Sequence, residues 1–440
     1  MTSLSVTPAM QDALAWLDDQ SATMVAMVER WAHQPSGSWY DDGLAAMGAI
    51  VRDAFADLGG TYDAVEAAPG QTVTDAGEAV AIRYGPIHRF TQRTHAPRRV
   101  LLTGHLDTVY PEHSPFTRCR WLDDTTLNGP GVADMKGGLI VMLHALKAFE
   151  RTPLAQGVGW EVLVSSDEEI GSIGSGPALD AGAARAHIGL TYEPALADGT
   201  LAGARKGSGN FTLVVDGRSA HAGREFEAGR NAVWQLARAI DALYALNGQR
   251  PGVTVNPAVI HGGSANNVVP ARALCRFNIR VRDADEQAWA ETELARLVDR
   301  LNGEDGFRAT LHGGFYRPPK VLSPANRALF DLVGRCGETL GVPIAVRDTG
   351  GCCEGNNLAA AGLPNVDTLG VRGGQIHSHD EYVLVDSFAE RAKLSFLILC
   401  AFAQGEMDSA LGVDLDAGPD ADPDADLDTA PAAGKAEARR

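Results

Sequence analysis

Imidazole and carboxylate side chains recur at predicted strand ends and in glycine-rich loops of this sequence, and together they could bind metal. Such donors suit zinc, manganese or cobalt, and a pair of ions needs at least one bridging carboxylate. Adjacent glutamates could supply one ligand and one general base. Taken singly, these residues also fit local turns, solvated faces or, for Asp134, a helix cap. The candidates are His105, Asp107, Asp134, Glu168, Glu169, Glu193, His377 and His379.

Alternating strands and helices must position these side chains. The buried apolar runs at 99–105, 160–166 and 187–192 are typical of strands, and an apolar helical run covers 139–149. This alternation predicts an α/β fold, a mostly parallel sheet with helices on both faces. Ligands gather at the carboxyl ends of strands in such sheets, which is where several of the candidates fall.

A second, smaller domain is predicted within the chain. Strand, helix, strand, strand, helix and strand patterns follow one another from about 205 to 316, a βαββαβ order typical of a compact α+β sandwich. The α/β pattern then resumes and ends in an apolar helix at 387–402. The expected boundaries are 1–204 and 317–405 for the two parts of the catalytic domain, 205–316 for the insert, and 406–440 for a tail.

The composition of the chain limits which partners it could bind and indicates its cellular compartment. A net charge of −18 argues against nucleic acid or an anionic membrane as a partner, and no apolar stretch is long enough to span a membrane. Six scattered cysteines and no export signal indicate reduced thiols and a cytoplasmic location. The acidic tail lacks the glycine and terminal glutamate of a calcium loop, so we expect it to be solvated and disordered.

The sequence resembles the zinc aminoacylase and carboxypeptidase family M20, and is closest in pattern to its glutamate carboxypeptidase branch. Acetylornithine deacetylase and succinyl-diaminopimelate desuccinylase belong to the same family. The resemblance runs in order from about residue 100 to 400. The motifs that carry it are Gly104-His-Leu-Asp-Thr-Val109, Gly129-Pro-Gly-Val-Ala-Asp-Met-Lys-Gly-Gly138, Ser166-Asp-Glu-Glu-Ile-Gly171, Glu193-Pro194, Gly217-Arg-Ser-Ala-His-Ala-Gly223, Gly262-Gly-Ser-Ala-Asn-Asn-Val-Val-Pro270 and His377-Ser-His-Asp-Glu-Tyr382.

The resemblance implies two divalent metal ions per subunit, zinc in the first place, with cobalt or manganese as alternatives. It makes His105 and Glu193 the ligands of one ion, Glu169 and His377 the ligands of the other, and Asp134 the bridge between them. Asp107 would orient the ring of His105, as metal-bound imidazoles require. Glu168 would be the general base acting on a metal-bridging water. The family pattern selects His377 as the ligand and leaves His379 as its neighbour.

The same resemblance makes the inserted domain a lid that also forms a homodimer. His221 would then reach the reaction centre of the partner subunit and stabilise the oxyanion. Asn267, Arg280 and Arg317 match positions that hold the substrate carboxylate, a role that suits the arginine fork. Without the resemblance, His221 is better explained as a turn histidine, and an exposed strand face explains Arg280 nearly as well as substrate binding does.

One segment departs from the family pattern. Several members have Gly-Gly-Gly-[Ser/Thr]-Asp beside the substrate, whereas this chain has Gly350-Gly-Cys-Cys-Glu-Gly-Asn-Asn357. We expect Gly351 to line the substrate pocket. Cys352 and Cys353 are either small buried residues or pocket residues that alter specificity.

The favoured function is therefore hydrolysis of the amide bond of an N-acyl amino acid or small peptide with a free carboxylate. A metal aminopeptidase or dipeptidase is one alternative. An aminopeptidase would bind a free amine, whereas Arg280 and Arg317 suit a carboxylate. A non-catalytic relative that binds peptides or amino-acid conjugates is another, and it would be expected to lack Glu168 or some of the ligands.

Overall fold

A computed structural model describes residues 4–412 of the chain. Within that range the helices are α1 (Pro8–Asp19), α2 (Ser21–Ala32), α3 (Asp41–Phe55), α4 (Lys136–Phe149), α5 (Gly176–Arg185), α6 (Ala232–Tyr244), α7 (Ala284–Asn302), α8 (Pro324–Leu340), α9 (Glu354–Ala360), α10 (Ser387–Ala403) and α11 (Asp408–Leu411). The strands are β1 (Thr61–Val65), β2 (Gly70–Val73), β3 (Ala79–Ile82), β4 (Ile87–Gln92), β5 (Arg98–His105), β6 (Arg120–Trp121), β7 (Thr126–Asn128), β8 (Val158–Ser165), β9 (Ile188–Thr191), β10 (Leu201–Arg205), β11 (Gly207–Asp216), β12 (Thr254–Gly262), β13 (Arg272–Val281), β14 (Arg308–Arg317), β15 (Val346–Thr349), β16 (Asn365–Val366), β17 (Gly373–Gly374) and β18 (Tyr382–Leu384).

The central sheet has the strand order β1-β4-β8-β5-β9-β16. Strands β8, β5, β9 and β16 run parallel, whereas β4 and β1 join one edge in antiparallel pairs. The predicted α/β fold with a mostly parallel sheet is confirmed. The carboxyl ends of β5, β8 and β9 consequently meet at one edge, which brings together the loops that follow them.

Side-chain alternation along β5 explains why helices cover both faces of the sheet. Val100 and Leu102 belong to the main core with α4 and α10, whereas Leu101 belongs to a second cluster with α5 and α9. Successive residues of a strand point to opposite faces, so a strand that is apolar throughout is buried on both sides. Helix α4 is likewise apolar around most of its circumference, and all its residues except Lys147 are buried.

The segment from β11 to β14 has the predicted element order, βαββαβ. Its strands form a separate antiparallel sheet in the order β12-β13-β11-β14, and α6 and α7 pack on that sheet over their own hydrophobic core. Strand β14 extends to Arg317, whose guanidinium contacts Glu168 beyond the end of β8. The role of this segment as a lid and dimerisation surface stays a prediction.

The C-terminal boundary differs from the prediction. A disordered tail was expected from residue 406, but residues 406–412 are ordered and include α11. Met407 is buried because this turn covers the end of the main core. Asp408 forms an ion pair with Arg98. Residues 413–440, which hold most of the predicted acidic tail, lie outside the described residues.

No helix in the described range is long and apolar enough to cross a membrane.

Candidate metal centre

His105 occupies the end of β5, and its ring is held by the next loop. The imidazole Nδ1 lies 3.0 Å from the carbonyl oxygen of Asp107 and 3.3 Å from its carboxylate. Asp107 is itself fixed, because its carboxylate accepts hydrogen bonds from the hydroxyl of Ser38 at 2.7 Å and from the backbone N–H groups of Glu168 and Glu169 at 3.2 Å. These contacts leave Nε2 of His105 facing the other predicted ligands.

Asp134 lies between the two predicted ligand pairs. Its Oδ1 is 3.2 Å from Nε2 of His105, and its Oδ2 is 3.2 Å from Nε2 of His377. On one side Glu193 lies 3.7 Å from His105, and on the other side Glu169 lies 3.2 Å from His377. Two groups of potential ligand atoms result, each within 4.8 Å, and they share Asp134. A carboxylate with one oxygen facing each group is the arrangement that a bridging ligand requires.

The donor set fits divalent metal ions. Glu193 is buried, and its Oε1 has no hydrogen-bond partner within the described part of the chain. An unpaired buried carboxylate oxygen is costly unless a cation or donor satisfies it. Nitrogen and oxygen donors without thiolates suit zinc, cobalt or manganese, as expected from the sequence.

Burial and crowding alter the acid–base properties of the centre. Burial raises the pKa of Glu168 to about 7, although the charge of Arg317 opposes the change. Burial and the charge of Asp134 raise the pKa of Glu169 to about 8. Hydrogen bonds with Asp134 and Glu169 raise the pKa of His377 to about 10. The carboxylates of Asp107, Asp134, Glu168, Glu169 and Glu193 share this region with the imidazoles of His105 and His377, and metal cations would relieve the excess negative charge.

The structure distinguishes the two histidines of the loop before β18. His377 contacts Asp134 and Glu169, and it adopts a φ of 62°, in the left-handed region that non-glycine residues rarely occupy. The ring of His379 instead stacks on Phe116, with ring centroids 5.3 Å apart. His377 therefore lies beside the other predicted ligands and His379 does not, and the role of His377 as a ligand stays a prediction.

Glu381 organises the loop that carries Asp134, and the sequence analysis did not identify this role. Its buried carboxylate accepts backbone N–H groups from Gly131, Ala133 and Asp134, each at 3.0 Å, and the hydroxyl of Tyr110 at 2.7 Å. One side chain thereby joins the Asp134 loop to the His377 loop. Its position in the motif His377-Ser-His-Asp-Glu381 was the available signal.

Arg317 and Glu168 form an ion pair at the edge of the centre. The guanidinium lies 2.5 Å from the Glu168 carboxylate, and it also donates to Asn357 Oδ1 at 2.8 Å. Arg317 is buried and does not line the cavity described below. Its guanidinium contacts Glu168 and Asn357 and so supplies a counter-charge to a buried carboxylate. Its predicted role in holding the substrate carboxylate stays a prediction.

A cavity of about 490 Å³ opens beside the predicted ligands. Gly351 lines it, as expected, and so do Cys352 and Cys353. Cys353 is buried, and burial raises the pKa of its thiol, whereas Cys352 is partly exposed. Both residues therefore belong to the cavity wall, and Cys353 is a buried residue as well. Their effect on specificity stays a prediction. The remaining lining residues are Asp134, Glu168, Glu169, Glu193, Pro194, Leu196, Thr200, Leu201, Ala202, Arg205, Arg347, Asp348, Thr349, Gly350, Thr368, Ile376 and His377.

Two of the three predicted lid residues lie apart from this lining. His221 and Asn267 are exposed neighbours on two loops, joined where the N–H of Ala222 donates to the carbonyl of Asn267 at 2.9 Å. Arg280 reaches the cavity rim, where its guanidinium lies 3.3 Å from Cys352 Sγ and 3.4 Å from the carbonyl of Gly350. Within one chain, therefore, only Arg280 of these three contacts the cavity wall.

Comparison with known proteins identifies relatives over most of the chain. The profile of Peptidase family M20/M25/M40 matches residues 101–400. Carboxypeptidase G2 of Pseudomonas sp. (strain RS-16) is 26% identical, over 88% of this chain and 91% of that protein. Succinyl-diaminopimelate desuccinylase of Xanthomonas oryzae pv. oryzae (strain PXO99A) is 29% identical, over 67% of this chain and 81% of that protein. The crystal structure of a tripeptidase from Staphylococcus aureus subsp. aureus Mu50 matches with a TM-score of 0.67 and 21% identity, over 87% and 99% of the two chains.

Proposed function

Since this chain belongs to peptidase family M20/M25/M40, whose members are metal-dependent hydrolases, we propose that it cuts an amide bond at a dinuclear metal site. The proposed substrate is an N-acyl amino acid or small peptide with a free carboxylate. The observation that carries the proposal is the position of Asp134, shared by two groups of ligand atoms beside Glu168.

Each group would hold one ion. His105 and Glu193 are the proposed ligands on one side, Glu169 and His377 those on the other, and Asp134 bridges them. Zinc is the first candidate, with cobalt or manganese as alternatives. When bound, such ions would polarise the amide carbonyl and acidify the attacking water.

Glu168 is the proposed general base. It takes a proton from the attacking water and returns that proton to the leaving nitrogen. Its raised pKa, caused by burial, suits a group that must both accept and donate a proton near neutral pH. Asp107 holds the ring of His105, and Arg317 holds the carboxylate of Glu168.

Substrate recognition would use the lid. Arg280 and Asn267 are the proposed partners of the substrate carboxylate, and His221 of a second copy of the chain would donate to the oxyanion. This assignment requires a homodimer formed through the β11–β14 segment. The exposure of His221 and Asn267 is compatible with it. A cytoplasmic location is part of the same proposal.

Metal-loaded protein should release amine from some members of a panel of N-acyl amino acids and dipeptides. Glu168→Gln should lower kcat by about 10²- to 10⁴-fold while metal content, measured by plasma mass spectrometry, stays near two ions per chain. His377→Ala should reduce metal content, and His379→Ala is the matched control that should not.

Contrary outcomes separate the alternatives. Turnover that persists in Glu168→Gln would reject the assignment of the base. A preference for peptides with a free amine and an amidated C-terminus would favour an aminopeptidase. Binding without turnover across the whole panel, in metal-loaded protein, would favour a non-catalytic binding protein.

A further inference from the structure

Arg347 is a cation in the cavity wall that has no acidic partner among residues 4–412. It lies on β15 opposite Ala202 of β10, and both residues line the same cavity as Asp134 and Glu193. Arg347 is exposed, and no hydrogen bond or ion pair joins its guanidinium to any residue between positions 4 and 412. The other arginine of the lining, Arg205, is buried and makes a two-pronged contact with Asp367 at 2.8 and 2.9 Å. Arg205 is therefore neutralised by a buried carboxylate, whereas the guanidinium of Arg347 contacts no described acid.

The acids near Arg347 are engaged elsewhere. The carboxylate of Asp348 accepts the backbone N–H of Ala204 at 2.8 Å. The carboxylate of Asp198 accepts the N–H of Thr200 at 2.9 Å, and this bond, followed by the charge of Arg347, lowers the pKa of Asp198. Asp198 thus senses the charge of Arg347 without forming an ion pair with it. The guanidinium retains its donors for an external anion.

The wall near Arg347 also contains apolar side chains. Leu196, Leu201, Ala202 and Ile376 line the cavity together with the predicted metal ligands, and Leu196 and Ile376 are 44% and 40% exposed. A cavity of about 490 Å³ is large enough for a small acylated amino acid. One molecule in this cavity could therefore contact the predicted metal ligands, an apolar surface and a cation that no described residue pairs with.

We propose that Arg347 forms a second anion subsite and that the substrate carries two negative charges. This rests on the proposed function, in which Arg280 binds the carboxylate next to the scissile amide. The second anion is a carboxylate elsewhere in the molecule, at the end of the acyl group or on the side chain of the released amino acid. An arginine fork recognises either carboxylate with two parallel hydrogen bonds.

Paired substrates of nearly equal shape test this subsite. N-succinyl and N-succinamoyl derivatives of one amino acid differ by a charge at the acyl end, and N-acetylglutamate and N-acetylglutamine differ by a charge on the side chain. In the unmodified enzyme, kcat/KM should favour the anionic member of at least one pair by about fivefold, the upper range for an exposed ion pair. The pair that shows the preference identifies which end of the substrate meets Arg347.

Substitution of Arg347 should remove that preference. The kcat/KM ratio within the pair should fall to near one in Arg347→Gln and recover in part in Arg347→Lys, and raising the salt concentration should reduce it in the unmodified enzyme. Arg327→Gln is the matched control, because it removes one positive charge from an exposed helical position outside the cavity lining. A ratio that is unchanged in Arg347→Gln, or near one in the unmodified enzyme for both pairs, would overturn the proposal.

Binding measurements keep this test independent of turnover. Calorimetric titration of the same pairs into metal-loaded Glu168→Gln, with and without Arg347→Gln, compares affinities where hydrolysis is blocked. Absence of hydrolysis by the unmodified enzyme would reject the proposed function. An affinity ratio that does not depend on Arg347 would reject only the second subsite.

Discussion

The guanidinium of Arg317 lies 2.5 Å from the carboxylate of Glu168, although 149 positions separate the two residues. Arg317 ends the last strand of the inserted segment, and Glu168 follows β8 of the central sheet. This ion pair joins the two parts of the molecule at the proposed general base. A second contact, from Arg317 to Asn357, holds the guanidinium on its other side.

Arg317 and Arg280 should therefore affect catalysis differently. Arg317→Gln should lower kcat by tenfold or more for carboxylate substrates and their C-terminal amides alike, because the base loses its ordering partner. Arg280→Gln should mainly raise KM, and only for substrates with the free carboxylate. Steady-state kinetics on matched acid and amide substrates measures both effects. If Arg317→Gln raised KM only for the substrates with a free carboxylate, Arg317 would instead be assigned to substrate binding.

Glu381→Gln should weaken metal binding. The Glu381 carboxylate accepts three backbone N–H groups around Asp134, whereas a glutamine amide has a single oxygen acceptor and would turn N–H donors towards some of them. We expect about 10- to 100-fold weaker metal affinity, as for other groups that orient ligands. Competition with a chromogenic chelator measures it. Asp331→Asn, on the exposed face of α8, is the control, and equal affinities in the two variants would contradict the role of Glu381.

Cys352 should react with alkylating reagents before the other cysteines. It is partly exposed in the cavity wall, whereas Cys353 is buried and burial raises the pKa of its thiol. Burial also raises the pKa of Cys119 to about 12, so its partial exposure does not make it reactive. Peptide mapping after brief treatment with iodoacetamide should find the adduct at Cys352, with loss of activity because the adduct fills the cavity. Cys352→Ser should retain activity under the same treatment. Rapid labelling at Cys119 instead would refute this order of reactivity.

His88 should make the protein sensitive to acid. Burial lowers the pKa of His88 to about 4, and its Nδ1 lies 3.0 Å from the hydroxyl of Tyr62. The unfolded chain, with an ordinary histidine pKa of 6.5, binds more protons between these values, so stability falls as the pH decreases from about 6.5 to about 4. The loss is on the order of 3 kcal/mol.

Melting temperatures across this pH range test the role of His88. His88→Gln should show a shallower decline than the unmodified protein. His113→Gln, which alters a histidine whose side chain is 90% exposed, should show the same decline as the unmodified protein. An identical pH dependence in His88→Gln would assign the acid sensitivity to other groups.

The fold class could be predicted from the pattern of apolar residues, and the metal ligands were predicted from the family motifs. The apolar runs of β5 and α4 predict buried elements, because the spacing of apolar residues along a strand or helix depends only on local chain geometry. Spacing alone left Asp134 open to interpretation as a helix cap. The family motifs were needed to predict that it bridges two metal ions.

Tertiary structure decided the contacts between distant segments. The pairing of Arg317 with Glu168, the contacts of Glu381 with the Asp134 loop and the placement of Cys352 and Cys353 in the cavity wall depend on how loops from separate strands meet. The lack of a partner for Arg347 within the described part of the chain depends on the same packing. A side chain's partners are set by the directions in which several backbones carry their Cβ atoms, and no single segment of sequence contains that information.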